Sequence, residues 1–313
     1  MKRLLAVFLL LALILSGCSP DKKPDTSSDT VTFTDALGRE VTVKKCPARV
    51  ASLLGSFSDV WLLAGGKLCA SAHDAEEDFG IDMSEMTDLG GAHSPSLELL
   101  ISAVPDFVIA SASTASNVKM KDTLEDMGIT VAYFDVSCFE EYLHMLRICT
   151  SITGRDDLYE KNGLEIGAQI DIIKSELRGL GLSENERTVL LLRTSSSSIK
   201  AKGSRGTILG EMLADLGCIN IADSDSGILE NLSIESIMQK DPYRIFAVTM
   251  GDNTEGAIAA LDDMIKSDPA WGSLTAVCEG RIHFMDKQLF NLKPNDRWAE
   301  AYETLANVLC ETQ

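Results

Sequence analysis

The sequence predicts an α/β protein with two lobes, each built on a largely parallel sheet, and one long helix between them. Three features of the 313 residues support this prediction: short apolar runs alternate with helical segments, one stretch recurs 137 positions further on, and a proline-free segment of helical periodicity lies between the copies. Apolar runs of strand length separated by helices are typical of parallel sheets with both faces covered. The predicted bounds are 31–154 for the N-terminal lobe, 155–183 for the connecting helix and 184–313 for the C-terminal lobe.

The N-terminus has the pattern of a signal peptide over residues 1–17. Lys2 and Arg3 precede an apolar run over 4–15, which is shorter than the roughly 20 residues that a membrane-spanning helix needs. The following Leu-Ser-Gly-Cys box over 15–18 resembles that of bacterial lipoprotein precursors, and this implies cleavage before Cys18 and lipid attachment to its thiol. Residues 18–30 carry almost no large apolar side chain, which predicts a disordered tether. We therefore expect an extracytoplasmic protein that contacts the membrane through its lipid anchor only.

An internal duplication supports the two lobes. SLELLISAVPDFVIA, over 96–110, aligns without gaps on SIESIMQKDPYRIFA, over 233–247, and the serine, glutamate, proline and final alanine coincide. Each copy predicts a serine N-cap, a short helix, a turn at the proline and a buried strand. Two copies favour paired lobes over a solenoid. The other predicted strands are 49–54, 67–72, 129–134, 188–193 and 281–286.

The segment between the lobes is predicted to be one helix. Its apolar residues recur at near-helical spacing from Leu158 to Leu177, and a helix over 156–182 would be roughly 40 Å long. Gly163 and Gly167 weaken this helix by about 1 kcal/mol each relative to alanine.

The charge of the chain excludes nucleic acid as a partner. Without Lys2 and Arg3 the chain has 26 basic and 47 acidic residues, a net charge of −21, whereas phosphate binding needs a basic surface. Seven cysteines follow Cys18, an odd number without CxxC spacing, so at least one is unpaired within the chain. No particular disulfide is predicted.

The chain resembles the substrate-binding lipoproteins of ABC importers for iron complexes, the group that binds ferric siderophores, haem and cobalamin. The resemblance covers most of 31–310 and depends on FTDALGREVTV with PARVASLL, LELL-x4-PDFVIA, LEDMGITVAYFD, ILGEMLADLGCINIA, LSIESI-x4-P and PAWGSLTAVCEGRIHFMD. It implies two Rossmann-like lobes, one connecting helix, a ligand cleft between the lobes and an ABC permease dimer as partner. The first-lobe loop over 55–59, GSFSD, departs from the usual family pattern, which ends in Thr-Glu.

Ligands of open α/β sheets bind beyond the carboxyl ends of the strands. A basic segment over 188–210 stands out in this acidic chain, and a second basic group occurs near Trp298. Cations beside an aromatic ring suit a small anionic metal chelate that is partly planar or a catecholate. The alternative is a solvated basic patch with Trp298 in the core. The predicted ligand-binding residues are Ser56, Phe57, His73, His93, Arg193, Lys202, Arg205, Arg297 and Trp298.

The four histidines divide into two groups. His73 and His93 lie in predicted cleft loops, where an imidazole could be an axial ligand of haem iron. His144 and His283 lie in apolar contexts that favour hydrogen-bonded core histidines. The sequence contains no HxxxH or HxH spacing, so it does not predict a site for a bare metal ion.

An enzyme is the competing class. The sequence has no GxSxG elbow, no HExxH motif and no GxxxxGK[ST] loop, so we expect a binding protein without a cofactor of its own. A surface sensor that binds the same ligand without an importer is a third alternative.

Glu98 and Glu235 occupy matching positions in the duplicated segments, each two residues after the serine N-cap. A carboxylate in the first turn gains about 0.3–1 kcal/mol from the helix dipole. The family resemblance implies a further role, since the corresponding glutamates form salt bridges with permease arginines. We therefore predict permease docking through Glu98 and Glu235.

Overall fold

The computed structural model describes residues 29–251 and 253–311. The predicted signal peptide, Cys18 and most of the predicted tether lie outside these residues. Within them the chain forms the predicted α/β fold with two largely parallel sheets. No helix in the described part of the chain is both long enough and apolar enough to cross a membrane.

The N-terminal sheet has five parallel strands in a Rossmann-like order. An antiparallel hairpin of β1 (Thr30–Thr34) and β2 (Glu40–Lys44) precedes it. The sheet strands are β3 (Val50–Ser52), β4 (Ala70–Ser71), β5 (Thr87–Asp88), β6 (Phe107–Ser111) and β7 (Thr130–Phe134). Their order, β5-β4-β3-β6-β7, reverses direction between β3 and β6. Such a switch point is where open α/β sheets bind ligands.

Helices cover this sheet. They are α1 (Gly55–Leu63), α2 (Asp74–Glu77), α3 (Leu97–Ser102), α4 (Ala115–Lys119), α5 (Lys121–Asp126) and α6 (Phe139–Thr153). The predicted strands correspond to β3, β4, β6 and β7, whereas the hairpin and the two-residue β5 were not predicted from apolar runs.

The predicted connecting helix is present, and it contains a π-helical turn. It consists of α7 (Asp156–Tyr159), a π turn (Glu160–Leu164) and α8 (Glu165–Gly179). The π turn frees the carbonyl of Asn162, to which the Tyr142 hydroxyl donates a hydrogen bond of 2.7 Å. Gly163 allows a close approach, because a Cβ there would lie 2.9 Å from Leu143 Cδ2. The lobe boundaries given above remain predictions.

The C-terminal sheet repeats the parallel arrangement. Its strands are β8 (Thr188–Ser195), β9 (Ser198–Lys202), β10 (Ile219–Asn220), β11 (Arg244–Thr249) and β12 (Ile282–Met285). The order is β10-β8-β11-β12, and β9 pairs antiparallel with β8. The strand order reverses between β8 and β11.

The C-terminal helices complete the lobe and then return to the connecting helix. They are α9 (Ile208–Asp215), α10 (Ser226–Asn231), α11 (Ile234–Lys240), α12 (Thr254–Ser267), α13 (Pro269–Gly272), α14 (Thr275–Cys278), α15 (Lys287–Phe290) and α16 (Trp298–Cys310). Short 3-10 turns cover 185–187, 221–224 and 295–297. Helix α16 packs along α8. Residues 287–297, here called the C-terminal strap, join the second sheet to this helix.

The two copies of the duplicated segment also share local backbone structure. Ser96 caps α3 by accepting a hydrogen bond from Leu99 N, and Ser233 caps α11 in the same way from Ser236 N, both at 3.3 Å. Val104 and Asp241, at the same offset of 137, both have positive φ, 47° and 38°. Each precedes a proline and turns the chain from the helix into the following strand. All seven cysteines of the described residues are free thiols.

Candidate ligand cleft

The carboxyl ends of the parallel strands define one edge of each sheet, and the two switch points mark the candidate cleft. In the N-terminal lobe, Ser56 follows β3 and Ser111 ends β6. In the C-terminal lobe, Arg193 lies two residues before the end of β8, and Met250 follows β11. The ligand-binding rule for open sheets therefore selects these four positions.

A close backbone contact joins two loops at the N-terminal edge. The amide of Gly55 donates a hydrogen bond of 2.9 Å to Asp74 Oδ2, so α1 begins against α2. A Cβ at Gly55 would lie 2.6 Å from Ala75 N and 2.7 Å from the Asp74 carbonyl carbon, so only glycine fits. Burial raises the pKa of Asp74, and its second oxygen, Oδ1, is buried without a hydrogen-bond partner.

Ser56 and Phe57 lie at this edge, but their side chains are buried. Phe57 is 0% exposed and packs edge-on against Phe134, with ring centroids 6.3 Å apart. Ser56 is 3% exposed, and its carbonyl accepts a hydrogen bond from Asn295 Nδ2. The structure therefore corrects the prediction for Phe57, whose ring belongs to the core and offers no free face to a planar ligand.

The two histidines predicted for the cleft differ in their surroundings. His73 Nδ1 lies 2.8 Å from Asp88 Oδ2, and Nε2 lies 3.4 Å from Glu77 Oε1. The hydrogen bond with Asp88 raises the pKa of His73, which favours an imidazolium with no free lone pair for a metal. His93 is exposed in the turn before α3. The described residues contain no group of three or more histidine, cysteine or carboxylate side chains arranged to hold a metal ion.

The C-terminal edge carries a cluster of cations. Arg193 on β8 pairs with Lys200 on β9, and Lys202 lies two residues further along β9, so all three side chains occupy one face of the two strands. Burial lowers the pKa of Arg193, and Arg193 Nε is buried without a hydrogen-bond partner. Burial also lowers the pKa of Lys202, as do the charges of Arg193 and Lys200. Two of the predicted ligand-binding residues, Arg193 and Lys202, are therefore neighbours.

Arg205 and Arg297 do not join this cluster as free cations. Arg205 has a side chain that is 95% exposed, with Glu211 Oε2 3.8 Å away. Arg297 makes two hydrogen bonds of 2.7 Å to the carboxylate of Glu300. Both guanidinium groups thus have a carboxylate neighbour from the first turn of the following helix.

Trp298 is a core residue. It is 0% exposed, and its indole packs against Phe139, Tyr142 and Tyr302 at centroid distances of 6.0–6.5 Å. The expectation that Trp298 lines the cleft is wrong, because α16 turns this face toward the connecting helix and α6. The alternative stated from the sequence, a tryptophan in the core, is confirmed.

The expectation for the other two histidines needs correction as well. His144 is exposed on α6 rather than buried, because the buried face of that helix is formed by other residues. His283 lies on β12 and packs against Phe246, with the rings tilted by 31° and their centroids 5.3 Å apart, but its Nε2 is buried without a hydrogen-bond partner. Burial lowers the pKa of His283 and favours neutral imidazole.

The C-terminal strap crosses to the N-terminal edge, which the sequence did not predict. Lys287 Nζ forms an ion pair of 3.0 Å with Asp78. Asn295, with positive φ, donates through Nδ2 to the Ser56 carbonyl at 2.9 Å and to Asp59 Oδ2 at 2.7 Å. Between these contacts, Lys293 Nζ lies 5.5 Å from the centroid of the Phe57 ring. The sequence signals were the position of this stretch after the last predicted strand and the local concentration of basic residues after Asp286.

Glu98 and Glu235 are both exposed in the first turn of their helices. In a βαβ crossover the helix runs antiparallel to the strands, so its first turn lies near their carboxyl ends. The amide of Ser96 donates to the carbonyl of Leu89, directly after β5, in agreement with that geometry. The two carboxylates therefore lie beside the same edges that form the candidate cleft.

Comparisons with known proteins agree with this architecture. The family described as periplasmic binding protein matches residues 62–289. The Fe(3+)-citrate-binding protein YfmC of Bacillus subtilis is 26% identical over 300 residues, covering 91% of this chain and 89% of its own. YvrC of the same organism, an uncharacterized ABC transporter substrate-binding lipoprotein, is 24% identical over 311 residues, covering 96% and 94%. The structure of Staphylococcus aureus SirA complexed with staphyloferrin B gives a TM-score of 0.70 at 18% identity, covering 90% of this chain and 98% of that one.

Proposed function

Because this chain belongs to the periplasmic binding protein family, with a match over 62–289, we propose that it is the lipid-anchored binding protein of an ABC importer for an iron complex. The ligand is an anionic ferric siderophore, which the protein captures outside the cytoplasmic membrane and delivers to a permease. Proteins of this family bind solutes and do not transform them. The names of two relatives, one a lipoprotein of an ABC transporter and one a binder of ferric citrate, support this assignment.

The ligand assignment depends mainly on the surroundings of Arg193. Its guanidinium is half-buried at the switch point of the C-terminal sheet, and its Nε has no hydrogen-bond partner in the described residues. A buried N–H donor without a partner costs about 1–3 kcal/mol unless an acceptor is supplied. Lys200 and Lys202 on the same face add to the positive charge. An anionic ligand would satisfy this cluster.

Haem is the second candidate ligand, and cobalamin is a third that the same scaffold accommodates. A haem would require an axial ligand, and the histidines at the N-terminal edge offer one exposed imidazole, that of His93, since both nitrogens of His73 have carboxylate neighbours. Phe57 and Trp298 have no exposed ring face for the macrocycle. These placements favour the ferric siderophore.

The absorption spectrum of the protein purified from its own host separates these ligands. A ferric catecholate or hydroxamate gives a broad visible charge-transfer band, whereas haem gives a Soret band. Arg193→Ala should weaken binding of the identified ligand by about ten- to a hundredfold, since a hydrogen bond to a charged group contributes about 1.5–3 kcal/mol. Isothermal titration calorimetry is the suitable assay, because all three tryptophans are buried. Unchanged affinity would contradict the role of Arg193, and Arg178→Ala, at an exposed helix end, is the matched control.

Permease docking through Glu98 and Glu235 is the second part of the proposal. Their helices expose apolar side chains beside the carboxylates, with Leu99 43% and Met238 45% exposed. Helix capping accounts for Ser96 and Ser233 but does not require a carboxylate at the same register in both lobes. Two exposed acids, one in each lobe, match the two subunits of a permease dimer.

Importer and sensor functions differ in their partners. Co-purification of permease subunits with the lipid-anchored protein would support the importer. Recovery of the ligand-loaded protein without such subunits would favour the surface sensor.

A further inference from the structure

Lys293 belongs to the C-terminal lobe by its backbone, but its side chain reaches the N-terminal lobe. Its backbone belongs to the C-terminal strap, beyond the carboxyl end of β12, yet its ammonium lies over the Phe57 ring at the N-terminal edge. The carboxylates of Asp135, Asp74 and Glu141 act on it electrostatically. Asp135 directly follows β7 and Asp74 precedes α2, so the ammonium lies where the loops of both sheets converge.

This ammonium has no hydrogen-bond or ion-pair partner among the described residues. Lys287, six residues earlier in the strap, shows the contrast, because its ammonium reaches Asp78 at 3.0 Å. For Lys293 the structure gives only the contact with the Phe57 ring and the longer-range attraction of the three carboxylates. Burial outweighs that attraction and lowers the pKa of Lys293. The half-buried ammonium has three N–H donors and no acceptor among the described residues, so it is free to donate to a ligand.

We propose that the Lys293 ammonium donates hydrogen bonds to the bound iron complex, and that this complex presents carboxylate groups to the cleft. The inference rests on the proposed function and specifies its ligand as a hydrophilic carboxylate-type ferric chelate. Lys293 then supplies the positive charge of the N-terminal edge, opposite Arg193 and Lys202 at the C-terminal edge.

Two observations select carboxylates over a flat aromatic ligand. Phe57 and Trp298 are fully buried, so neither aromatic ring that the sequence assigned to the cleft is available for stacking. Hydroxyl groups are available instead near both switch points: Ser113 is exposed two residues after β6, and the half-buried Ser195 ends β8. Ammonium, guanidinium and hydroxyl donors are the groups that carboxylate oxygens accept hydrogen bonds from.

The three carboxylates explain why a cation is needed at this edge. Without Lys293, an anionic ligand would face Asp74, Asp135 and Glu141 without the cation that all three attract. Lys293→Met should therefore weaken binding by about ten- to a hundredfold. Asp135→Asn, which removes one exposed acid of this group, should strengthen binding about two- to fivefold.

Isothermal titration calorimetry tests the proposal on the mature chain with ferric citrate, a ferric carboxylate siderophore, a ferric tris-catecholate and haemin. We expect the wild type to bind a carboxylate chelate and Lys293→Met to bind it at least tenfold more weakly. The affinity of Lys293→Arg should stay within about threefold of the wild-type affinity. The matched control is Lys266→Met, at an exposed position of α12. Ligand-free Lys293→Met should melt at the wild-type temperature or above it, because it removes a half-buried charge that has no hydrogen-bond partner in the described residues. A lysine needed for stability would give a lower melting temperature.

The outcomes separate the two levels of the proposal. Equal affinity of wild type and Lys293→Met for the carboxylate chelate would overturn the contact and leave the proposed function intact. Binding of haemin or the catecholate without the carboxylate chelates would overturn the ligand class alone. If the wild type bound none of these iron complexes, both the inference and the proposed function would be wrong.

Discussion

Asp59 gives the sharpest test of the energetics that hold the strap to the N-terminal lobe. Its carboxylate, half-buried on α1, accepts a hydrogen bond of 2.7 Å from Asn295 Nδ2. Burial raises the pKa of Asp59 from 3.8 to about 6, the hydrogen bond from Asn295 opposes this shift, and the nearby charge of Asp296 adds to it. Asp59→Asn removes the charge and keeps an oxygen that can accept the same hydrogen bond.

The size of the effect follows from the difference between the folded and unfolded pKa values. Because the folded pKa is the higher one, Asp59 favours folding when protonated, below about pH 3.8, and this stability is lost as pH rises through about 6. At about 1.4 kcal/mol per pKa unit, the ionised group costs about 3 kcal/mol above pH 7. Asp59→Asn should thus raise the free energy of unfolding by up to about 3 kcal/mol at pH 7.5, and by less than about 1 kcal/mol at pH 4.

Thermal unfolding followed by far-UV circular dichroism at both pH values measures this difference. A gain of about 3 kcal/mol corresponds to about 4–8 °C in Tm for a chain of this size. Asp171→Asn, at an exposed position of α8, controls for the loss of one negative charge. An equal Tm for Asp59→Asn and wild type at pH 7.5, or a gain of the same size at pH 4, would refute the assignment of a strained buried carboxylate.

Three further predictions concern the cleft, the anchor and the permease contact. Gly55→Ala should lower the free energy of unfolding by about 1–3 kcal/mol, because its Cβ would lie 2.6 Å from a backbone nitrogen of α2. Chemical denaturation measures this change. Gly179→Ala is the control, because the Cβ at that position would have open space around it. Cys18→Ala should release the protein from membranes, and its retention after a carbonate wash would exclude the lipid anchor. Glu98→Ala combined with Glu235→Ala should abolish uptake while ligand affinity and Tm stay nearly unchanged. Normal uptake by this double variant would rule out docking, and a large fall in Tm would favour capping instead.

Local patterns in the sequence were sufficient for most of the architecture. Strand-length apolar runs predicted β3, β4, β6, β7, β8, β11 and β12, since the strands of a parallel sheet covered by helices are largely apolar. The serine N-caps and the prolines of the duplicated segments predicted the short helices and the turns after them. The basic segment around Arg193 was visible because few acids surround it in sequence, and strand pairing then brought Arg193, Lys200 and Lys202 onto one face. Each of these features depends on residues close together in the chain.

Tertiary structure alone decided which side chains reach the cleft. Trp298 was predicted as a ligand contact because cations stand beside it in sequence, and Phe57 because it follows a predicted strand. Packing against residues far away in the chain buries both rings. Lys293 and Asn295 acquire their positions because α16 packs along α8 and thereby draws the strap across to the N-terminal lobe. Burial and charge proximity depend on contacts between residues more than two hundred positions apart, such as Asn295 and Ser56. No local periodicity encodes such contacts, so the sequence could predict a position for the candidate cleft but not its lining.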